Sequence, residues 1–415
     1  MSTSRWHLLA NRDFRLLLIT RLSVATGLLI QSVIVGWQVY QLTSSALLLG
    51  LIGLTEAIPA IGCSFISGHL VDNHRPAIIY RLSLFISFLN ALLLFAAVTP
   101  ALSLSTEIRL TLLFTSVFIS GAARSFNNPA TFALTANMIP RAQLRTASAW
   151  NSMAYQLASI IGPAAGGLAY GEFGAQVAFA LPAFFQLMAS LSITLISAQT
   201  RDIVSESKRE PFILSVASGL KFTFGHRVLL STMTLDMFSV FFGGAVAVLP
   251  IYADQILHVG SQGLGFLRAA PSVGSGLVAL LMALFPNRIP ISGRVLMLVV
   301  AGFGLTTLGF AVSTSFYLSL FFLAATGAFD GVSMVIRGTI LQLFTPNDMR
   351  GRVSSVSSVF ITSSNEIGAF ESGVAARLMG LVPSVVFGGV MTLIVVGATW
   401  LVVPELAKTD VSQES

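Results

Sequence analysis

The sequence predicts an all-α polytopic membrane protein of twelve transmembrane helices in two pseudo-symmetric six-helix bundles. Three observations carry that expectation. Of 415 residues, 54% are apolar and 10% charged, with mean hydropathy +0.84, whereas roughly one-quarter of a soluble domain is charged. Twelve apolar runs each reach the roughly 20 residues that cross a bilayer. The chain also repeats itself. A constant displacement of 206 residues brings Gly121 onto Gly327, Pro140 onto Pro346, Gly162 onto Gly368 and Gly167 onto Gly373. One of 212 brings Arg15 onto Arg227, Tyr40 onto Tyr252, Gly53 onto Gly265 and Pro59 onto Pro271. In a membrane protein such duplication places the binding site between the halves.

Taken in order, the runs of the first half fall at about 14–40, 46–70, 76–99, 106–127, 142–169 and 177–198. Those of the second fall at about 228–250, 261–285, 292–312, 316–337, 353–380 and 384–403. Short connections at 42–45 and 171–176 force neighbouring helices to pack antiparallel. The fifth run holds Gly162, Pro163, Gly166 and Gly167, small residues that let backbones approach, with a Gly-Pro pair that predicts a bend. Between the halves, 200–211 reads TRDIVSESKREP, a polar tether. The apolar-spaced stretch after it, to Gly225, predicts an amphipathic helix along the membrane surface. The expected division is therefore 1–199, an N-terminal bundle; 200–226, a cytoplasmic linker; 227–406, a C-terminal bundle; and 407–415, a polar tail.

Charge follows orientation. The net +6 is not gathered on one soluble face, so no nucleic acid is expected. Arg12, Arg15, Arg75, Arg81, Arg141, Arg145, Lys208, Arg209, Arg288, Arg294, Arg350 and Arg352 all fall at one set of connections, and the opposite set holds little beyond Arg109 and Arg377. The positive-inside bias then puts both termini in the cytoplasm. The first run has spanning length and is interrupted by Arg21, so no removed signal is expected. Cys63 is the single cysteine, which excludes an internal disulfide and a thiolate metal cluster. The five histidines show no ligand spacing, and no metal or cofactor is expected. No nucleophile elbow, phosphate loop or Walker sequence is present, so the chain does not read as an enzyme or a self-contained ATP-driven pump. Without a repeated pore loop or charge ring it does not read as a channel.

A charge inside the hydrocarbon costs roughly 2.5 to 3.5 kcal/mol, so residues there face protein or water and have a task. Glu56, Asp236, Asp330, Glu366 and Glu371 qualify as proton-coupling candidates, and Arg21, Arg124, Arg268 and Arg337 as charge-pair or gating candidates. The repeat sets Glu56 on Arg268 and Arg124 on Asp330, opposite signs at matching places, which would give the halves complementary faces. A static role is the competing reading: long arginines near helix ends, such as Arg124 and Arg337, snorkel. A carboxyl desolvated without a partner is the kind that can load and release a proton; Glu366 and Glu371, five apart on one long helix and able to border one cavity, are read this way, and Asp236 likewise. Phe126, Trp150, Tyr155, Phe329 and Phe370 are candidates to line a pocket for a flat ligand, with core packing as the alternative. Trp37 and Tyr40, near a helix end, read as interface anchors.

The run Gly68-His-Leu-Val-Asp72-Asn-His-Arg75 and the later Gly162-Pro163 segment, on twelve spans in related halves, resemble the major facilitator superfamily over nearly the whole chain. The resemblance implies that Gly68, Asp72 and Arg75 form a cytoplasmic latch, although Asn73 stands where that motif has a basic residue. Asp72 would cap the helix opening near Val353. The Gly-Pro motif is similar to that of drug:proton antiporters. Leu235-Asp236-Met-Phe, Gly265-Phe-Leu-Arg-Ala-Ala-Pro271, Thr345-Pro-Asn-Asp-Met-Arg-Gly-Arg-Val353 and Ser364-Asn-Glu-Ile-Gly368 resemble the enterobactin-exporter branch and its macrolide-efflux relatives. The activity implied is proton-coupled export of a siderophore or drug-sized amphipathic molecule across a bacterial inner membrane by a lipid-embedded monomer. An importer or facilitator of the same fold, and more distantly a membrane-embedded enzyme, are the alternatives.

Overall fold

The computed structural model describes residues 7–197, 212–285, 290–346 and 349–409, with the side chains at 7, 65, 68, 69, 72, 73, 141 and 212–217 left aside. The first half comprises α1 (Arg12–Thr43), α2 (Ala46–Asn73), α3 (Pro76–Val98), α4 (Thr106–Met138) and α5 (Leu144–Thr194). After α6 (Phe212–Gly225) come α7 (Arg227–Gly243), α8 (Gly260–Leu284), α9 (Gly293–Val312), α10 (Phe316–Phe344), α11 (Arg350–Met379) and α12 (Leu381–Val402). Tighter and wider turns carry α7 on to Ile256. Ten helices are long and apolar enough to cross a membrane. Of these, α5 crosses twice, its 51 residues turning at Gly174. Helix α11 is 30 residues long but carries Glu366, Glu371 and several arginines; it completes twelve crossings among the described residues.

Local chemistry fixes where helices start. The Ser105 and Ser292 hydroxyls accept the N–H groups of Ile108 and Val295 at the openings of α4 and α9, and the His226 ring accepts the Leu229 N–H at the opening of α7. Each satisfies a donor that a helix start leaves open. Pro76 opens α3, where the missing N–H costs nothing.

The duplication is visible in the backbone. Gly174 turns α5 with φ 80 and ψ 176, and Gly380, its partner in the 206-residue repeat, turns α11 into α12 with φ 90 and ψ 165. That region of backbone space is open to glycine almost alone. The expected outer loop at 171–176 is thus a single reversal within a continuous run of helix. Likewise Gly121 lies against Pro59 and the Glu56 carbonyl, and Gly327 against Pro271, the repeat partner of Pro59: the same two helices meet at a glycine in each half.

The chain divides into two compact units: Met1–Thr43, Thr55–Ser207 and Gly260–Ala269 in one; Ser44–Leu54, Lys208–Val259 and Ala270–Ser415 in the other. In unit 1, α1 packs on α5, and α3 on α4 and α5, around Leu17, Val24, Tyr80, Leu84, Ala130 and Leu134. Gly162 and Gly166 of α5 meet Leu29 and Ile30 of α1, and Gly167 meets Gly265. In unit 2, α7 packs on α11 and α12, and α9 on α10 and α12, around Leu229, Leu296, Val300, Ile336 and Ile340. Gly50 and Gly373 meet there backbone to backbone. Helix α6, expected along the membrane surface, rests on α11: Gly219 lies against the Arg352 backbone and Arg352 Nη1 donates to Ser218 Oγ at 3.0 Å. Large apolar side chains such as Leu82, Leu89, Leu277 and Leu401 stay exposed along the spans, surface suited to lipid.

Candidate functional site

In unit 2, α10 carries Asp330, Ser333 and Arg337 at steps of three and four, one face of a helix. Arg337 reaches across from that face: its Nη1 contacts Asp236 Oδ2 on α7, its Nη2 lies 3.6 Å from Asp330 Oδ1, and its Nε donates to the Ser333 carbonyl at 3.3 Å. The side chains of Arg337 and Asp236 are 15% and 9% exposed, that of Asp330 38%. Two carboxylates therefore share one guanidinium, the first shielded and the second half-open.

A cavity of about 10 Å³ adjoins the cluster, room for roughly one water. Asp236, Ser239, Phe303, Phe329, Asp330 and Ser333 line it. Glycines set its walls: the Phe303 ring seats on Gly243 and the Phe329 ring on Gly302, where an added Cβ would come within 2.5 and 2.6 Å of a ring carbon.

In unit 1, Glu56 on α2 pairs with Arg124 on α4 at 2.8 Å. Arg21 on α1 donates to Asn128 Oδ1 at 2.9 Å and stands 5.5 Å over the Tyr155 ring. Arg268, two turns into α8, donates to Ser32 Oγ at 3.3 Å.

Two expectations are corrected by this geometry. Asp236 is not a carboxyl without a partner, because α10 turns Arg337 onto it. Nor does Arg337 snorkel; its side chain is largely buried, between two acids. The opposite-sign positions of the repeat find partners within their own units, Glu56 on Arg124 and Asp330 on Arg337. The remaining candidates are more dispersed. Glu366 and Glu371 are partly buried on α11 and are not among the residues lining the cavity. Phe126 and Trp150 are partly buried, as is Phe370, whose carbonyl faces Gly50. Of the latch, Arg75 precedes α3 in extended conformation; Gly68 and Asp72 lie outside the residues whose side chains are described.

Sequence reasoning missed the buried amides of unit 1. Gln31 Nε2 donates to Ser120 Oγ at 2.6 Å, and Asn90 Nδ2 donates to the same oxygen at 2.8 Å and to the Ser116 carbonyl at 3.1 Å. An amide in mid-span was the available signal, since an unpaired one is costly in hydrocarbon.

Known proteins agree with this architecture. Over 291 residues the chain is 25% identical to the enterobactin exporter EntS of Escherichia coli O1:K1, covering 69% of this chain and 68% of that one. Over 292 residues it is 27% identical to EntS of Shigella flexneri, with the same coverage. Among solved structures, a bacterial homologue of the human lysosomal transporter Spinster superposes with TM-score 0.74 at 14% identity, covering 96% of this chain and 98% of that one. A D-xylose-proton symporter does so with TM-score 0.72 at 14% identity, covering 96% and 99%. The family model described as transmembrane secretion effector matches residues 3–415; with its twelve crossings and repeated halves, the chain belongs to that family, within the major facilitator superfamily of transporters.

Proposed function

We propose that this transporter is a proton-coupled exporter of a siderophore or drug-sized amphipathic small molecule. In this reading it sits in a bacterial inner membrane, functions as a monomer and keeps both termini in the cytoplasm. The bundles 1–199 and 227–406, tethered by 200–226, rock against each other about a site near the midplane. The cluster of Asp236, Arg337 and Asp330 supports the reading most directly, because two carboxylates compete for one guanidinium beside a water-sized cavity. A proton delivered to either acid frees the guanidinium for the other, so protonation and the α7–α10 contact are linked. The similarity to enterobactin exporters favours the outward direction.

The test is efflux of a dye or siderophore from proteoliposomes under an imposed pH gradient. Asp236→Asn and Asp330→Asn are expected to abolish gradient dependence while the fold is retained. Unchanged dependence in both, and in Glu366→Gln, removes the coupling assignment. Accumulation against the expected direction identifies an importer.

A further inference from the structure

We infer that Arg21, Asn128 and Tyr155 form a recognition site for the anionic group of a flat, conjugated substrate, a carboxylate or a phenolate. Arg21 lies well inside the first span, roughly 13 Å along α1 from Arg12 at 1.5 Å per residue. A cation at that depth requires compensation. Its described partners are neutral: the Asn128 amide oxygen and the Tyr155 ring. Its buried Nε–H has no acceptor among the described residues. Glu56, an acid in the spans of unit 1 away from their ends, is already engaged by Arg124.

The fold itself does not demand this charge. Carried through the repeat, Arg21 corresponds to Met233, Asn128 to Met334 and Tyr155 to Ile361. The second half builds the same three positions from apolar residues, so the polar set in the first half serves something other than packing. Tyr155 is 47% exposed and Asn128 is exposed, so both partners of the guanidinium can be reached from outside the fold. A planar cation stacked beside an aromatic ring, with unused N–H donors in its plane, suits an anion carried on a conjugated body.

This inference rests on the proposed function only in naming the anion a substrate. It is tested by thermal unfolding of the full chain in phosphatidylcholine nanodiscs, with salicylate or its neutral amide, salicylamide, as probe and no gradient imposed. Salicylate is expected to raise the melting temperature by mass action and salicylamide to leave it unchanged. Arg21→Met, which copies the second half and so keeps a side chain the fold accepts, should weaken salicylate binding about tenfold or more, and Tyr155→Leu should weaken it less. Equal shifts from the two probes, or full salicylate binding by Arg21→Met, overturn the proposal. If phosphatidylglycerol in the nanodisc gives the Arg21-dependent shift and salicylate does not, the site belongs to lipid and the proposal fails. Failure here leaves gradient-driven efflux of a neutral dye intact, and failure of proton coupling leaves salicylate binding intact.

Discussion

At the scale of single residues, the charge cluster of unit 2 is a balance that one substitution upsets. Arg337→Ala leaves Asp236 and Asp330 facing each other with their shared cation gone, which should cost about 3 to 5 kcal/mol. Adding Asp236→Leu to that variant removes the more deeply buried orphan and should recover a large part of the loss. Melting temperatures of the two single variants and the double variant, taken as a cycle, check both expectations. Additive losses would show that the pair is not coupled. Part of this was readable in advance: Asp330, Ser333 and Arg337 follow helical spacing, so the arginine and one acid were already on one face. That Asp236 would be the other partner was not, because it lies on a different helix and its approach depends on how α7 is rotated.

At the scale of elements, two glycines hold the reversals. Gly174 and Gly380 share a backbone conformation that a side chain strains, and an added Cβ would meet nothing within 4 Å at Gly174 and only Pro383 Cδ at 3.8 Å at Gly380. The penalty for alanine therefore comes from the backbone alone. Gly174→Ala and Gly380→Ala should each lower stability by about 1 to 3 kcal/mol, and by similar amounts. Denaturation of the two purified variants measures this, and a large loss at one site with none at the other would break the equivalence of the two turns. The repeat was legible as identities spaced by 206 residues. Its use in the backbone was not: the departure from helical angles inside α5 falls at Gly174, beyond the Gly-Pro segment. Gly162 and Gly166 instead admit α1.

At the scale of the whole molecule, orientation is the open quantity with a simple readout. Replacing Cys63, the only cysteine, by serine gives a background in which a cysteine placed near either terminus is the sole target for a thiol reagent. With both termini cytoplasmic, a membrane-impermeant maleimide should label such sites in inverted vesicles and leave them unlabelled in intact cells. Labelling in intact cells would reverse the topology.

Lipid as solvent, twelve crossings, duplicated halves and the scarcity of charge follow from the sequence itself, because apolar run length and residue composition are local properties that a bilayer reads one segment at a time. Which scarce charges meet was decided only by tertiary structure. Arg337 finds Asp236 across α7 and α10, while Arg124 finds Glu56 and Arg21 finds Tyr155 where Gly121 admits α2 and Gly162 and Gly166 admit α1; rotation about a helix axis exchanges one set of partners for another.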